Sequence, residues 1–155
     1  MDKYFLCFKG FFTAMIALIA NELGIICPAM ILLIILMITD YISGMLAAKR
    51  EVIEHPDEPE YGWSSKKSII GIYKKVGYML TILVAISTDY VIFKLIAAIG
   101  IEYQTNTLFG LLVVIWFVLN ELLSILENAG RMGVALPLFL VKVLKDVRKN
   151  IDNTP

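Results

Sequence analysis

The chain has 155 residues, of which 59% are hydrophobic and 18% charged, and its mean hydropathy is +0.77. Soluble domains carry about 25% charged residues, and a globule of this length buries only about 70% of its unfolded surface, so the apolar excess needs lipid as its solvent and a soluble enzyme is excluded. Fourteen basic residues balance fourteen acidic ones, so net charge offers nothing to attract nucleic acid.

At the N-terminus Lys3 and Lys9 precede an apolar run over 11–20 that resembles the core of a secretory signal. Leu18 and Ile19 stand where an A-x-A cleavage site needs small residues, so no cleavage is expected. Crossing ~30 Å of hydrocarbon takes about 20 helical residues. This run has half that length before Asn21, Glu22, Gly24 and Pro28 interrupt it. The expectation for 1–26 is a short interfacial helix, with a fourth span folded back as a hairpin as the alternative.

Three later windows are long and apolar enough to span: 27–48, 76–98 and 107–128, the last expected to end at Gly130. Helix is the required conformation, because backbone groups in lipid must be satisfied within their own segment and the alternation of a barrel strand is missing. The predicted fold class is an all-α membrane protein, a single domain over 1–155 with three transmembrane helices.

Between the first two spans, 49–75 is polar. Its acidic, proline-containing centre is flanked by Lys49, Arg50, Lys66, Lys67, Lys74 and Lys75, read as cations at the membrane surface. The connector 99–106 has no lysine or arginine. Basic residues near the membrane mark the cytoplasmic side, so the loop is expected inside, the connector outside, and the C-terminus inside. The N-terminus then falls outside, where Lys3 and Lys9 run against the rule.

After Gly133 an amphipathic helix is expected over 134–151. Leu136, Leu140, Val143, Leu144, Val147 and Ile151 form its apolar stripe, opposite Lys142, Lys145, Asp146, Arg148 and Lys149. Such a helix lies on anionic lipid or packs in an oligomer, and the pattern suits both.

Ionisable groups at bilayer depth cost about 2.5–3.5 kcal/mol each and are therefore paired or hydrated. In the first span Asp40, Ser43, Gly44 and Ala47 share a face; in the second, Gly77, Thr81, Ala85, Thr88 and Asp89 do; in the third, Asn120, Ser124, Glu127 and Arg131 do. Glu127 and Arg131 are spaced as an i, i+4 ion pair. These faces either pack one subunit's helices or meet other subunits and an aqueous path. Under the second reading Asp40, Ser43, Gly44, Asp89, Asn120, Glu121, Ser124 and Glu127 are the pore-lining or oligomer-contact candidates. Lys94 is expected to snorkel to the interface.

Catalytic signatures are missing: the chain has no phosphate-binding glycine loop, no H-E-x-x-H and no G-x-S-x-G. Cys7 and Cys27 have no metal-ligand spacing, and His55 sits in the polar loop, so no cofactor, metal or catalytic residue is expected.

Asp40, Ser43, Gly44, Ala47 and Ala48 stand in the order D-x-x-S-G-x-x-A-A. Ser65, Gly71 and Lys75 follow as S-x-x-x-x-x-G-x-x-x-K. Asn120, Glu121, Ser124, Ile125, Glu127 and Asn128 form N-E-x-x-S-I-x-E-N ahead of Gly133 and Pro137. In this order, over roughly 20–148, the chain resembles the toxin-secretion and phage-lysis holin family. The acidic insert at 51–60 departs from that pattern. The resemblance implies a protein that self-associates in the bacterial inner membrane and opens lesions through which an endolysin, or in some clostridia a large toxin, leaves the cytoplasm. Two rival readings remain: a channel for small solutes, and a non-conducting membrane assembly partner.

Overall fold

The computed structural model describes residues 24–57, 62, 64–101, 107–143 and 146. The interfacial helix expected ahead of residue 24 lies outside them. Three long helices carry the fold: α1 (Ile26–Glu54), α2 (Ser65–Ala98) and α3 (Leu108–Arg131). At 1.5 Å per residue they are about 44, 51 and 36 Å long, each more than the ~30 Å of a hydrocarbon core. Their apolar stretches are long enough to cross it. The chain is a multi-pass membrane protein, and no strand occurs among the described residues.

The helices run past their apolar windows for local reasons. Arg50 and Glu54, spaced i, i+4 and joined by a 2.8 Å hydrogen bond, carry α1 beyond Ala48. Ser64 starts α2 well ahead of the second apolar window: its Oγ accepts from the Lys67 amide at 3.4 Å, and its carbonyl accepts from the Ser68 amide at 3.0 Å. Pro28 fits the first turn of α1, where its missing N–H has no intrahelical partner to lose.

Two helices end on glycines in the left-handed region. At the end of α2, Gly100 (φ +79°) donates to Ala97 O at 3.1 Å and Ile101 donates to Ile96 O at 3.3 Å. At the end of α3, Gly133 (φ +77°) donates to Gly130 O at 2.9 Å and Val134 donates to Ala129 O at 3.0 Å. Both are Schellman closures, which pair carbonyls that the helix leaves open. Gly130, expected to stop the third helix, is instead helical, and Gly133 ends it.

Residues 134–137 are not helical, and a helical turn begins at 138 with Leu140 and Val141 donating to Pro137 O. The helix expected from 134 thus starts later, because a residue before proline is pushed out of the helical region. Residues 144, 145 and 147–151, and with them Lys145, Arg148 and Lys149, lie outside the described residues. Lys142 is exposed.

The described residues form two compact units. One draws on the described residues within Met1–Leu32 and Thr81–Ile115. In it Ile26, Ile82 and Val114 are fully buried. A Cβ at Gly110 would stand 2.8 Å from Ile26 Cδ1 and 3.0 Å from Ile86 Cγ1, so the missing side chain is what lets these segments approach. The other unit draws on Leu33–Leu80 and Trp116–Pro155. Leu33 and Ala47 are buried there, and the Tyr78 and Phe117 rings stack with centroids 3.9 Å apart.

Candidate functional site

The second unit holds a connected polar network built from all three helices. Lys75 on α2 donates to Asp40 Oδ2 on α1 at 2.9 Å and also to the Glu121 carboxylate on α3. Asn128, on the same face of α3 two turns beyond Glu121, donates to Asp40 Oδ1 at 3.1 Å and lies 3.0 Å from the Ser43 hydroxyl. Ser43 in turn donates to the Asp40 carbonyl at 2.9 Å. Arg131 gives one N–H to Asn128 Oδ1 at 3.1 Å and grips Glu51 with two more at 2.8 Å each. The network therefore runs from Glu51 through Arg131, Asn128, Asp40 and Lys75 to Glu121.

Helical spacing makes this arrangement available. Asp40 and Ser43 share one stripe of α1, while Glu121, Asn128 and Arg131 share one stripe of α3. Gly44 leaves room between the two stripes: a Cβ there would already touch Asn128 Nδ2 at 3.5 Å, and a larger side chain would displace the amide. Lys75 is only 17% exposed at its side chain and Glu121 5%. Such charges are tolerated at depth because each has an ionic partner. Among the described residues no buried side-chain nitrogen or oxygen lacks a hydrogen bond.

Asp89 does a different job in the first unit. It is buried, and its two carboxylate oxygens accept from the backbone amides of Phe109 at 2.9 Å and Gly110 at 2.7 Å. A carboxylate borrowed from α2 thus caps the first turn of α3, where unpaired amides and the positive end of the helix dipole favour an anion.

The remaining sequence candidates divide by environment. Asn120 is half-buried, and its side chain makes no hydrogen bond to a described residue; Ser124 is half-buried beside the network. Glu127 is exposed, and the hydrogen bonds of Arg131 go to Glu51 and Asn128. Lys49, Lys66, Lys67 and Lys74 are exposed, and Arg50 is paired with Glu54. Lys94 lies exposed with its ammonium 5.5 Å from the Tyr90 ring.

Two residues matter more than the sequence suggested. Lys75, grouped with the surface cations, is the ionic centre of the network, and Asn128 is its junction. A signal for Lys75 was present: two carboxylates inside apolar helices require a cation, and Lys75 immediately precedes the second apolar window. Asn128 lies seven residues after Glu121, the spacing that returns a side chain to one face.

A model of the bacteriophage holin family matches residues 17–149. The chain belongs to the bacteriophage holin family. The polar network falls inside the matched segment, so the three helices and their charged residues are parts of a holin. The chain is 33% identical over 106 residues to an uncharacterized protein of Halalkalibacterium halodurans, covering 68% of this chain and 67% of that one. It is 30% identical over 119 residues to an uncharacterized protein of Listeria monocytogenes, covering 74% of this chain and 65% of the relative, just under two thirds of its length. A Clostridium acetobutylicum protein, also uncharacterized, is 29% identical over 121 residues, covering 78% of this chain and 81% of its own length. No solved structure matches the chain.

Proposed function

We propose that this holin assembles with further copies of itself in the bacterial cytoplasmic membrane and opens lesions that release an endolysin, or a secreted toxin, from the cytoplasm. The observation that carries the reading is the family match over 17–149 on a chain with three membrane-spanning helices. Only 17% to 22% of each span is buried within one chain, so most of every helix is left to lipid or to another copy. The basic loop and C-terminal segment lie on the cytoplasmic side, with the N-terminus outside.

Assembly has a polar contribution in this reading. Interhelical hydrogen bonds help transmembrane helices associate, and Asn120 offers a neighbouring subunit an amide with no partner among the described residues. Ser124 and the network residues Asp40, Ser43 and Glu121 supply the polar wall when copies gather and water enters between them. Asp89 and Gly44 keep the helix ends and the α1–α3 approach in register during that change. Glu127, exposed near the end of α3, faces water or a neighbouring subunit.

The test is lysis. Expression in a host that carries a cytoplasmic endolysin should give an abrupt loss of turbidity, while unaltered growth and an intact membrane would sink the proposal. Leakage of a small dye and of a folded enzyme, followed side by side, separates the lesion from its rivals: a small-solute channel passes the dye alone, and a non-conducting assembly partner passes neither.

A further inference from the structure

A cleft of about 530 Å³ opens in the second unit beside the network. It is lined on α1 by Tyr41, Met45 and Glu51, just ahead of α2 by Ser64, on α2 by Lys67 and Gly71, on α3 by Arg131, and it reaches Asp40 and Lys75. Its volume is that of a small-molecule site rather than of a protein interface. Along the chain these residues straddle the end of the first apolar window at 48 and lead up to the start of the second at 76, the level at which lipid headgroups meet a spanning helix.

Hydrogen-bond capacity in the cleft is unbalanced. Of the five N–H donors of a guanidinium, Arg131 commits three to Glu51 and Asn128. Of the three on an ammonium, Lys75 commits two, to Asp40 and Glu121. Lys67 is exposed, and its ammonium makes no hydrogen bond to a described residue. The two lining carboxylates already hold cations: Asp40 is bonded to Lys75, and Glu51 to Arg131. Lys75, one positive charge shared by Asp40 and Glu121, has none to spare, but unused donors remain on Arg131 and Lys67, and the first turn of α2, opening after Ser64, adds the positive end of a helix dipole. The missing component is an anion with several acceptor oxygens.

The surroundings call for an amphiphile. Tyr41 and Met45 give one wall of the cleft an apolar surface. Nearer the middle of the spans than Glu51 and Lys67, Ile42 and Ile38 on α1 and Ile72 on α2 are exposed. We infer that the cleft is a binding site for an anionic phospholipid, with the headgroup phosphodiester held by Lys67 and Arg131 and the acyl chains lying along these isoleucines. Both cations act on Glu51, which lines the same cleft. Charge-assisted bonds to phosphate oxygens are the strong kind, and Gly71 supplies the space: a Cβ there would meet nothing within 4 Å.

The test uses the purified full chain in detergent micelles, with retained lipid read by native mass spectrometry. Both lipids carry the phosphodiester, but the fixed cation of choline would stand against Lys67 and Arg131, so phosphatidylglycerol should be retained about tenfold better than phosphatidylcholine of the same chain length, roughly 1.4 kcal/mol. Lys67→Glu repels the headgroup, and Gly71→Leu fills the cleft; each should lower retention by a similar factor, whereas Lys94→Gln should leave it unchanged. Lys67 is exposed and Gly71 faces open space, so helicity measured by circular dichroism should persist in both variants. If Gly71→Leu nevertheless misfolds, Lys67→Glu decides. Equal retention of the two lipids, or wild-type retention in both cleft variants, overturns the proposal. Displacement of the lipid by an equal concentration of inorganic phosphate also overturns it, since a soluble anion would then be the occupant.

Discussion

Lys75 Nζ lies 2.9 Å from Asp40 Oδ2 across 35 residues of chain, and the same ammonium also holds Glu121. One cation thus bridges carboxylates from two other helices, which makes Lys75 the group whose loss costs most. Lys75→Met leaves both carboxylates without their counter-ion and should destabilise the fold by about 3–5 kcal/mol. Unfolding of the purified protein by sodium dodecyl sulfate in mixed micelles reads this directly. A midpoint equal to that of the unsubstituted chain would show that the ion pairs contribute nothing.

Asp89→Ala removes both acceptors from the first turn of α3. The expected loss is that of a helix N-cap, about 1–2 kcal/mol, and it should be local. Hydrogen exchange at the amides of Phe109 and Gly110 should accelerate, while amides at the other end of α3 stay protected. Uniform acceleration along α3 would contradict a capping role.

Gly110 and Gly77 make a matched pair. A Cβ at Gly110 would stand 2.8 Å from Ile26 Cδ1 and 3.2 Å from Asp89 Oδ2, whereas at Gly77 it would meet nothing within 4 Å. Gly110→Ala should therefore cost about 1–3 kcal/mol through overpacking. Gly77→Ala should be neutral or stabilise by about 0.5–1 kcal/mol, because glycine weakens a helix interior. Thermal denaturation of the two variants in the same detergent tests the contrast, and equal midpoints would refute it.

Asn120→Leu addresses assembly. If this amide bonds a second copy, removing it should weaken self-association by roughly 0.6–1.7 kcal/mol, the scale of polar contacts between membrane helices. The change should appear as a loss of energy transfer between labelled copies in lipid vesicles, with helicity unaltered. Unchanged transfer across a range of protein-to-lipid ratios would remove Asn120 from the interface.

Much of this protein is determined by the sequence alone. Hydropathy is a local sum, so the three spans can be read without knowing any contact, and the positions of Asp40, Asp89 and Glu121 within them mark where polar chemistry must occur. The ordered motifs from Asp40 to Pro137 point to the holin family on residue identity alone. Tertiary structure decided the partnerships. Helical spacing says which residues share a face, but not which helix that face meets, so the i, i+4 spacing of Glu127 and Arg131, whose charges do act on each other, gave no sign that Arg131 also bonds Glu51, 80 residues away. In the same way Asp89, a pore-lining or oligomer-contact candidate by position, caps α3, and Lys75, a surface cation by its place in a basic run, lies between half-buried Asp40 and buried Glu121. Each outcome depends on how the helices rotate against one another, a property set by packing across long stretches of chain and carried by no local pattern.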